Sequence, residues 1–158
     1  MKYGIDPIDL HILRTLQQDG RIRNAQLARQ LGLSPSSCLE RVRRLERRGY
    51  IRSYRAVLDP HKLGAGLLVY VEIRLSRTSA GLYASFRQKV QELPEVQECH
   101  LISGEFDYLI KARLADMQAY RNFLGETLLM LPGVAASRTF VVMEEVKESC
   151  ALPLPDAG

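Results

Sequence analysis

From Ser34-Pro35 to Gly49 the sequence marks both ends of a single helix and places five arginines inside it. Ser34 is a good N-cap, and Pro35 suits the first helical position because no helical amide is lost there. Gly49 supplies a left-handed exit. Leu39, Val42 and Leu45 recur every three residues and define the apolar side. At 100° per residue, Ser37, Glu40, Arg44 and Arg47 lie roughly opposite, flanked by Arg41, Arg43 and Arg48. A charge-rich face of this kind is often only solvated surface, since Glu40 and Glu46 can pair with Arg44 and with Arg43 or Arg47 at helical spacing. Context decides between that reading and a surface built for a polyanion.

The charge distribution supplies the context. Residues 1–59 hold 12 Lys+Arg against 6 Asp+Glu, whereas residues 60–158 hold 10 against 12. The basic character therefore belongs wholly to the first third, as expected of a small nucleic-acid-binding module joined to a different domain. Asp6-Pro7 starts a helix carrying Ile8, Ile12, Leu13 and Leu16, with Asp9 in its first turn, and Asp19-Gly20 stops it. Asn24 is the expected cap of a second helix with Leu27, Ala28 and Leu31 on its buried face, ended by Gly32. Only Leu33 separates that glycine from Ser34, which predicts a helix-turn-helix with 34–48 as its recognition helix. Tyr50 to Leu58 alternates like a short strand and brings Arg52 and Arg55 alongside as a wing.

Asp59-Pro60-His61-Lys62 sits at the charge boundary, and a linker is expected over about 56–66. Beyond it the period changes. Residues 67–75 read as a strand. Ser79 or Thr78 caps a helix with Leu82, Phe86, Val90 and Leu93, closed by Pro94. Val96–Ser103 and Asp107–Leu114 read as strands joined through Gly104-Glu105-Phe106. Asp116 caps a helix with Met117, Tyr120, Leu124, Leu128 and Leu131, closed by Pro132, and Val134–Met143 is a last strand. The order β-α-β-β-α-β predicts a ferredoxin-like domain. Its helices cover one sheet face, and Leu68, Tyr70 and other apolar groups remain on the other. That face predicts a homodimer, which would pair two recognition helices on double-stranded DNA.

Several strings then become recognisable: Leu33-Ser34-Pro35, Cys38 through Arg47, Gln97 through Leu101, Ser103 through Leu109, and Val141 through Lys147. From about Ile5 to Ser149 the chain resembles the Lrp/AsnC (feast/famine) transcription regulators, closest to their leucine-responsive branch. The resemblance implies an α+β protein: a winged helix-turn-helix DNA-binding domain over 1–59, a ferredoxin-like ligand-sensing and oligomerisation domain over 67–149, and a tail over 150–158. It implies dimers that assemble further, commonly to octamers, and an amino-acid effector, leucine or another aliphatic one, bound between neighbouring dimers. The loop of Ser103, Gly104, Glu105, Phe106 and Asp107 matches the pocket-forming loop. Leu101, Met117, Phe140, Val141 and Val142 match positions linked to effector response. Asp107 suits an α-ammonium group, and Leu101 and Met117 suit an aliphatic side chain. Each also has an ordinary structural use: Gly104 in turn geometry, Asp107 as a turn cap, and the apolar residues in a core or interface. Relatives usually carry Thr-Pro in place of Ser36-Ser37, and often Tyr in place of Phe140.

The expected function is a cytoplasmic, nucleoid-associated regulator of amino-acid metabolism genes; a largely ligand-independent architectural DNA-binding protein is the alternative. Phosphate contacts are expected from the arginines of the recognition helix (Arg41, Arg43, Arg44, Arg47 and Arg48) and from Arg52 or Arg55, and base reading from Ser36, Ser37, Glu40, Arg41 and Arg44. No enzyme is expected, because His11, His61 and His100 fall in unrelated elements without a nucleophile or metal constellation. Cys38, Cys99 and Cys150 are too few and too scattered for a disulfide framework or a metal site, and no run of eighteen apolar residues spans a membrane.

Overall fold

The computed structural model describes residues 4–76 and 79–155, which divide into two compact units. One runs through Val57 and takes in the chain from Lys147 onward; the other is Leu58–Val146. In the first, α1 (Pro7–Gln18), α2 (Asn24–Gln30) and α3 (Pro35–Arg47) enclose a small core of Ile5, Ile12, Leu27, Ala28, Cys38 and Leu45. Asp6 caps α1 by accepting from the Asp9 amide at 2.8 Å, and the Asp9 carboxylate reaches back to the Asp6 amide. Ser34 caps α3 by accepting from the Ser37 amide at 3.2 Å. The expected helix-turn-helix is therefore present.

Three local expectations change. Leu39 is 38% exposed, and Cys38 and Leu45 are the fully buried positions of α3. Counting by threes put Leu39 on the wrong side, because Cys38 lies 100° away and sits seven residues, nearly two whole turns, before Leu45. Asn24 does not cap α2. The cap position is Arg23, without a side-chain bond, and Asn24 instead donates Nδ2 to the Pro35 carbonyl at 2.7 Å, tying the starts of α2 and α3 together. Residues 52–59 form no strand. A wing strand needs a neighbour for its amides and carbonyls, and among the described residues of its unit this stretch pairs with none. Tyr54 is fastened separately, donating its hydroxyl to Glu46 at 3.0 Å. That leaves Glu46 with a tyrosine rather than the expected arginine.

The second unit has β1 (Leu67–Leu75), α4 (Ala80–Gln91), β2 (Val96–Leu101), β3 (Tyr108–Leu114), α5 (Met117–Asn122) and β4 (Val134–Val141). The antiparallel sheet has order β2-β3-β1-β4, the expected ferredoxin-like topology. Val69, Val71, Ile73 and Leu75 alternate inward against Phe86, Val90, Tyr120 and Leu128, and Phe86 stacks on Tyr108 at 4.4 Å. The intervening residues face away: Tyr70 opposite Phe140 and Lys111, Glu72 opposite Arg138 and Leu109. That outer face is apolar at its centre and charged around it; Leu68, expected to be presented there, is already 5% exposed. Ser79 caps α4, while Thr78 lies outside the described residues. The second helix is shorter than expected. After Asn122 it widens to a π turn at Phe123–Thr127 and tightens to a 3₁₀ turn at Leu128–Met130. These turns bury Phe123 and Leu128 despite the off-register spacing.

The tail is not a separate appendage. Gln17 and Leu152 exchange two hydrogen bonds, Nε2 to carbonyl at 3.2 Å and amide to Oε1 at 2.6 Å, and Arg14 donates to the Pro155 carbonyl at 2.6 Å. The second unit accordingly closes at Val146, short of the expected 149.

The turn into β4 depends on Gly133. Its φ is +76°, and a Cβ there would stand 2.5 Å from a Leu82 methyl. Gly133→Ala should cost about 2 kcal/mol from left-handed strain and overpacking. Adding Leu82→Ala should remove the clash and leave the strain, a difference that urea unfolding midpoints will read.

Candidate nucleic-acid interface and effector site

Two sets of arginines occupy the recognition helix. Ser36, Ser37, Glu40, Arg43 and Arg47 are exposed on α3, and Arg52 and Arg55 are exposed on the segment after it. The three serines at the helix start share their hydroxyls, with Ser34 Oγ 3.1 Å from Ser36 Oγ and 2.9 Å from Ser37 Oγ. This hydroxyl cluster sits at the very start of α3.

The other set is turned toward α1. Arg41 Nη1 donates to Asp6 Oδ2 at 2.6 Å and Asp9 Oδ1 at 2.9 Å. Arg44 Nη2 donates to both Asp9 oxygens, at 3.0 and 2.8 Å. Asp9 is only 1% exposed, so these are charge-assisted bonds around a buried carboxylate. Arg48 donates to the Gly4 carbonyl at 3.0 Å and lies over the Tyr50 ring. Of the ten residues expected at DNA, Arg41, Arg44 and Arg48 are thus engaged within the unit, and the other seven are open. The base-reading role expected of Arg41 and Arg44 does not fit their placement. A signal for it was present: Asp9 stands three residues before Ile12, on the same apolar stripe of α1, where an acid needs a buried partner. Partial burial pushes the Asp6 carboxyl up, but the Arg41 bond and the Asp9 amide outweigh it and hold it below its ordinary 3.8.

The effector residues fall into two groups. Leu101 closes β2 and is 63% exposed, with Ser103, Gly104, Glu105 and Phe106 following in the loop to β3. The loop is bolted to β1 and α4. Asp107 accepts from the Leu75 amide at 2.7 Å and from the Tyr83 hydroxyl at 3.2 Å, and Arg74 donates to the Glu105 carbonyl at 2.7 Å. Asp107 thus anchors the loop with the carboxylate expected to receive an ammonium group. Gly104 does not have positive φ, and a Cβ there would meet nothing nearer than Ile102 Cγ2 at 3.9 Å. Turn geometry therefore does not require glycine at this position.

Met117, Phe140, Val141 and Val142 form the second group. Met117 follows the end of β3, and Val142 donates its amide to the Leu68 carbonyl. Val141 pairs with Val69, whereas the loop is anchored at Leu75. Six residues of strand separate those positions, about 20 Å at 3.3 Å per residue. Within one chain the two groups thus occupy opposite ends of the sheet. Two open cavities accompany them. One of about 280 Å³ lies between α4 and β2, lined by Leu101, Val90, Val96 and Tyr108. One of about 430 Å³ lies beside α5, lined by Ala119, Phe123 and Arg113.

Comparison with known proteins gives both units a counterpart. Residues 5–52 match the model of a winged helix-turn-helix DNA-binding domain, and residues 68–152 match the Lrp/AsnC ligand binding domain. The chain is 60% identical over 145 residues to the leucine-responsive regulatory proteins of Escherichia coli K12 and Klebsiella pneumoniae, covering 92% of this chain and 88% of each relative. Among solved structures, a transcriptional regulator of Neisseria meningitidis in complex with L-methionine superposes with a TM-score of 0.90 at 36% identity, covering 95% of this chain and 97% of that one. AsnC of E. coli gives 0.87 at 28% identity, covering 96% and 100%.

Removing the buried carboxylate should be expensive. Asp9→Ala is expected to destabilise the first unit by about 3 kcal/mol, at the low end for a broken buried pair because both arginines retain some water. Acid should act in the same direction. The lowered Asp6 value means its contribution is full above pH 3.8 and is lost as pH falls below that. Unfolding followed by circular dichroism at pH 7 and across pH 2–5 checks both.

Proposed function

The chain belongs to the Lrp/AsnC family of transcriptional regulators, and we propose from this that its effector is an aliphatic amino acid bound in a site shared between two copies of the chain. It is a DNA-binding regulator with an amino-acid-binding domain and not an enzyme. The observation that carries the proposal is the distance between the two effector groups. The 103–107 loop, anchored at Leu75, stands about 20 Å along β1 from Val69, the partner of Val141, within one chain. A second copy can present its Met117 end to this chain's loop. Gly104, which the chain's own geometry leaves unexplained, fits the same reading: a side chain there would stand in the space where a ligand or neighbour approaches.

Leucine is the first candidate. The relatives at 60% identity are leucine-responsive regulators, and the Neisseria neighbour holds methionine, an apolar side chain of similar size. Leu101 and Met117, 63% and 49% exposed, supply apolar surface of the right character at the two ends. The outer sheet face, with Tyr70, Leu109 and Phe140, supports homodimers, and further association to octamers would bring loop and Met117 ends together. Effector binding would then favour one assembly over another and alter the spacing of recognition helices on DNA of amino-acid metabolism genes. A cytoplasmic, nucleoid-associated location agrees with that role.

A thermal-shift panel of the twenty amino acids should show leucine or another aliphatic member raising the melting temperature most. At one hundred times Kd the stabilisation is about 2.7 kcal/mol. Gly104→Val and Met117→Glu should each abolish the shift, and mixing the two unfolded and refolded variants should restore part of it, because some interfaces then hold one intact composite site. No shift with any amino acid would instead favour the ligand-independent architectural protein; mixtures that never recover would place the site within one chain.

A further inference from the structure

The recognition helix carries more arginines than it offers to DNA, and the reason lies on a different helix. Arg41 and Arg44 point to the side of α3 that meets α1, about 60° and 120° around from Cys38 at 100° per residue, while Arg43 and Arg47 lie close to the opposite side. The residues that receive the first pair are the cap and the third residue of α1. Asp6 and Asp9 exchange hydrogen bonds in a reciprocal capping box and then take three side-chain bonds from Arg44 and Arg41 on Asp9, and one from Arg41 on Asp6. Two cations and two anions thus neutralise each other at the α1–α3 seam.

We propose that Asp6 and Asp9 are selectivity-setting residues, withholding Arg41 and Arg44 from the DNA phosphates and so keeping binding to arbitrary sequence weak. The inference rests on the helix-turn-helix being the DNA-binding surface. Phosphate contacts supply essentially all of non-specific binding, and each neutralised phosphate adds about 0.9 to the salt slope. Contacts to base edges, by contrast, remain with groups that stay open, such as Ser36, Ser37 and Glu40. A helix that met DNA with every arginine free would bind arbitrary sequence more tightly, and the many non-specific sites would then compete harder for the protein. The clamp stays shut on DNA because releasing an arginine would leave Asp9, 1% exposed, buried without its counter-charge. Arg44 also flanks Glu40 on the helix surface, near enough for a freed guanidinium to reach the backbone that Arg43 and Arg47 face.

Binding of the full-length chain to a random-sequence 30-base-pair duplex, followed by fluorescence anisotropy across salt, tests this directly. Arg43→Gln and Arg47→Gln should each reduce the slope by about 0.9 per bound chain. Arg44→Gln should leave the slope unchanged. Asp9→Asn should steepen it and tighten non-specific binding severalfold, and Asp9→Asn with Arg44→Gln should return it toward the parent. Asp6→Asn, at a partly exposed position, should loosen Arg41, which then keeps only its bond to Asp9, and give a smaller change of the same sign; it carries the test if the Asp9 variant does not fold. A loss of slope in Arg44→Gln equal to that in Arg43→Gln overturns the proposal, as does weaker or unchanged binding in the folded Asp variants. A parent chain that fails to bind any duplex overturns the DNA-binding surface itself, a result distinguishable from equal slopes.

Discussion

One buried carboxylate holds the first unit in its working shape. Asp9 sits in the apolar stripe of α1, where an isolated charge would be too costly, and it is tolerated because two guanidinium groups of α3 close over it. The same bonds fix the rotation of α3 about its own axis. With Arg41 and Arg44 drawn to α1, the side bearing Ser36, Glu40, Arg43 and Arg47 must face outward. The orientation of the recognition helix is thus set by electrostatics at the seam as much as by Cys38 and Leu45 in the core. An anionic pair on α1 governs what a cationic helix can do.

In the second unit the governing constraint is the stiffness of the sheet. β1 lies between β3 and β4, and its register places the 103–107 loop at one end and Val141 at the other. The loop is held by Asp107, Tyr83 and Arg74 rather than left loose. Within one chain the loop and Val141 therefore stand at opposite ends of the same sheet.

Much of this was legible from local chemistry. Ser34-Pro35, Asp6-Pro7, Ser79 and Asp116 each start a helix in the structure, because capping involves only residues three or four positions apart. The strands at 67–75 and 108–114 were readable because alternation is also local. Helical angle alone placed Ser37, Glu40 and Arg47 on the outer side of α3, where the structure leaves them exposed. The failures share a different cause. Leu39, Asn24 and the 50–58 stretch were assigned from their own neighbours, whereas their fates were decided by Cys38, by the Pro35 carbonyl and by the absence of a pairing strand. Arg41 and Arg44 were assigned from the helix that carries them, yet their partners stand more than thirty residues earlier.

The sequence by itself determined the two-domain α+β plan, the identity of the recognition helix and the positions of the effector loop, since caps, periods and charge balance are written in short stretches. Only the tertiary structure decided which arginines that helix presents, because an ion pair depends on how α1 and α3 dock and no spacing rule encodes it. It also decided that the 103–107 loop and Val141 lie at opposite ends of a sheet. Strand order and register, not chain position, set that distance, and they arise only when all four strands are paired.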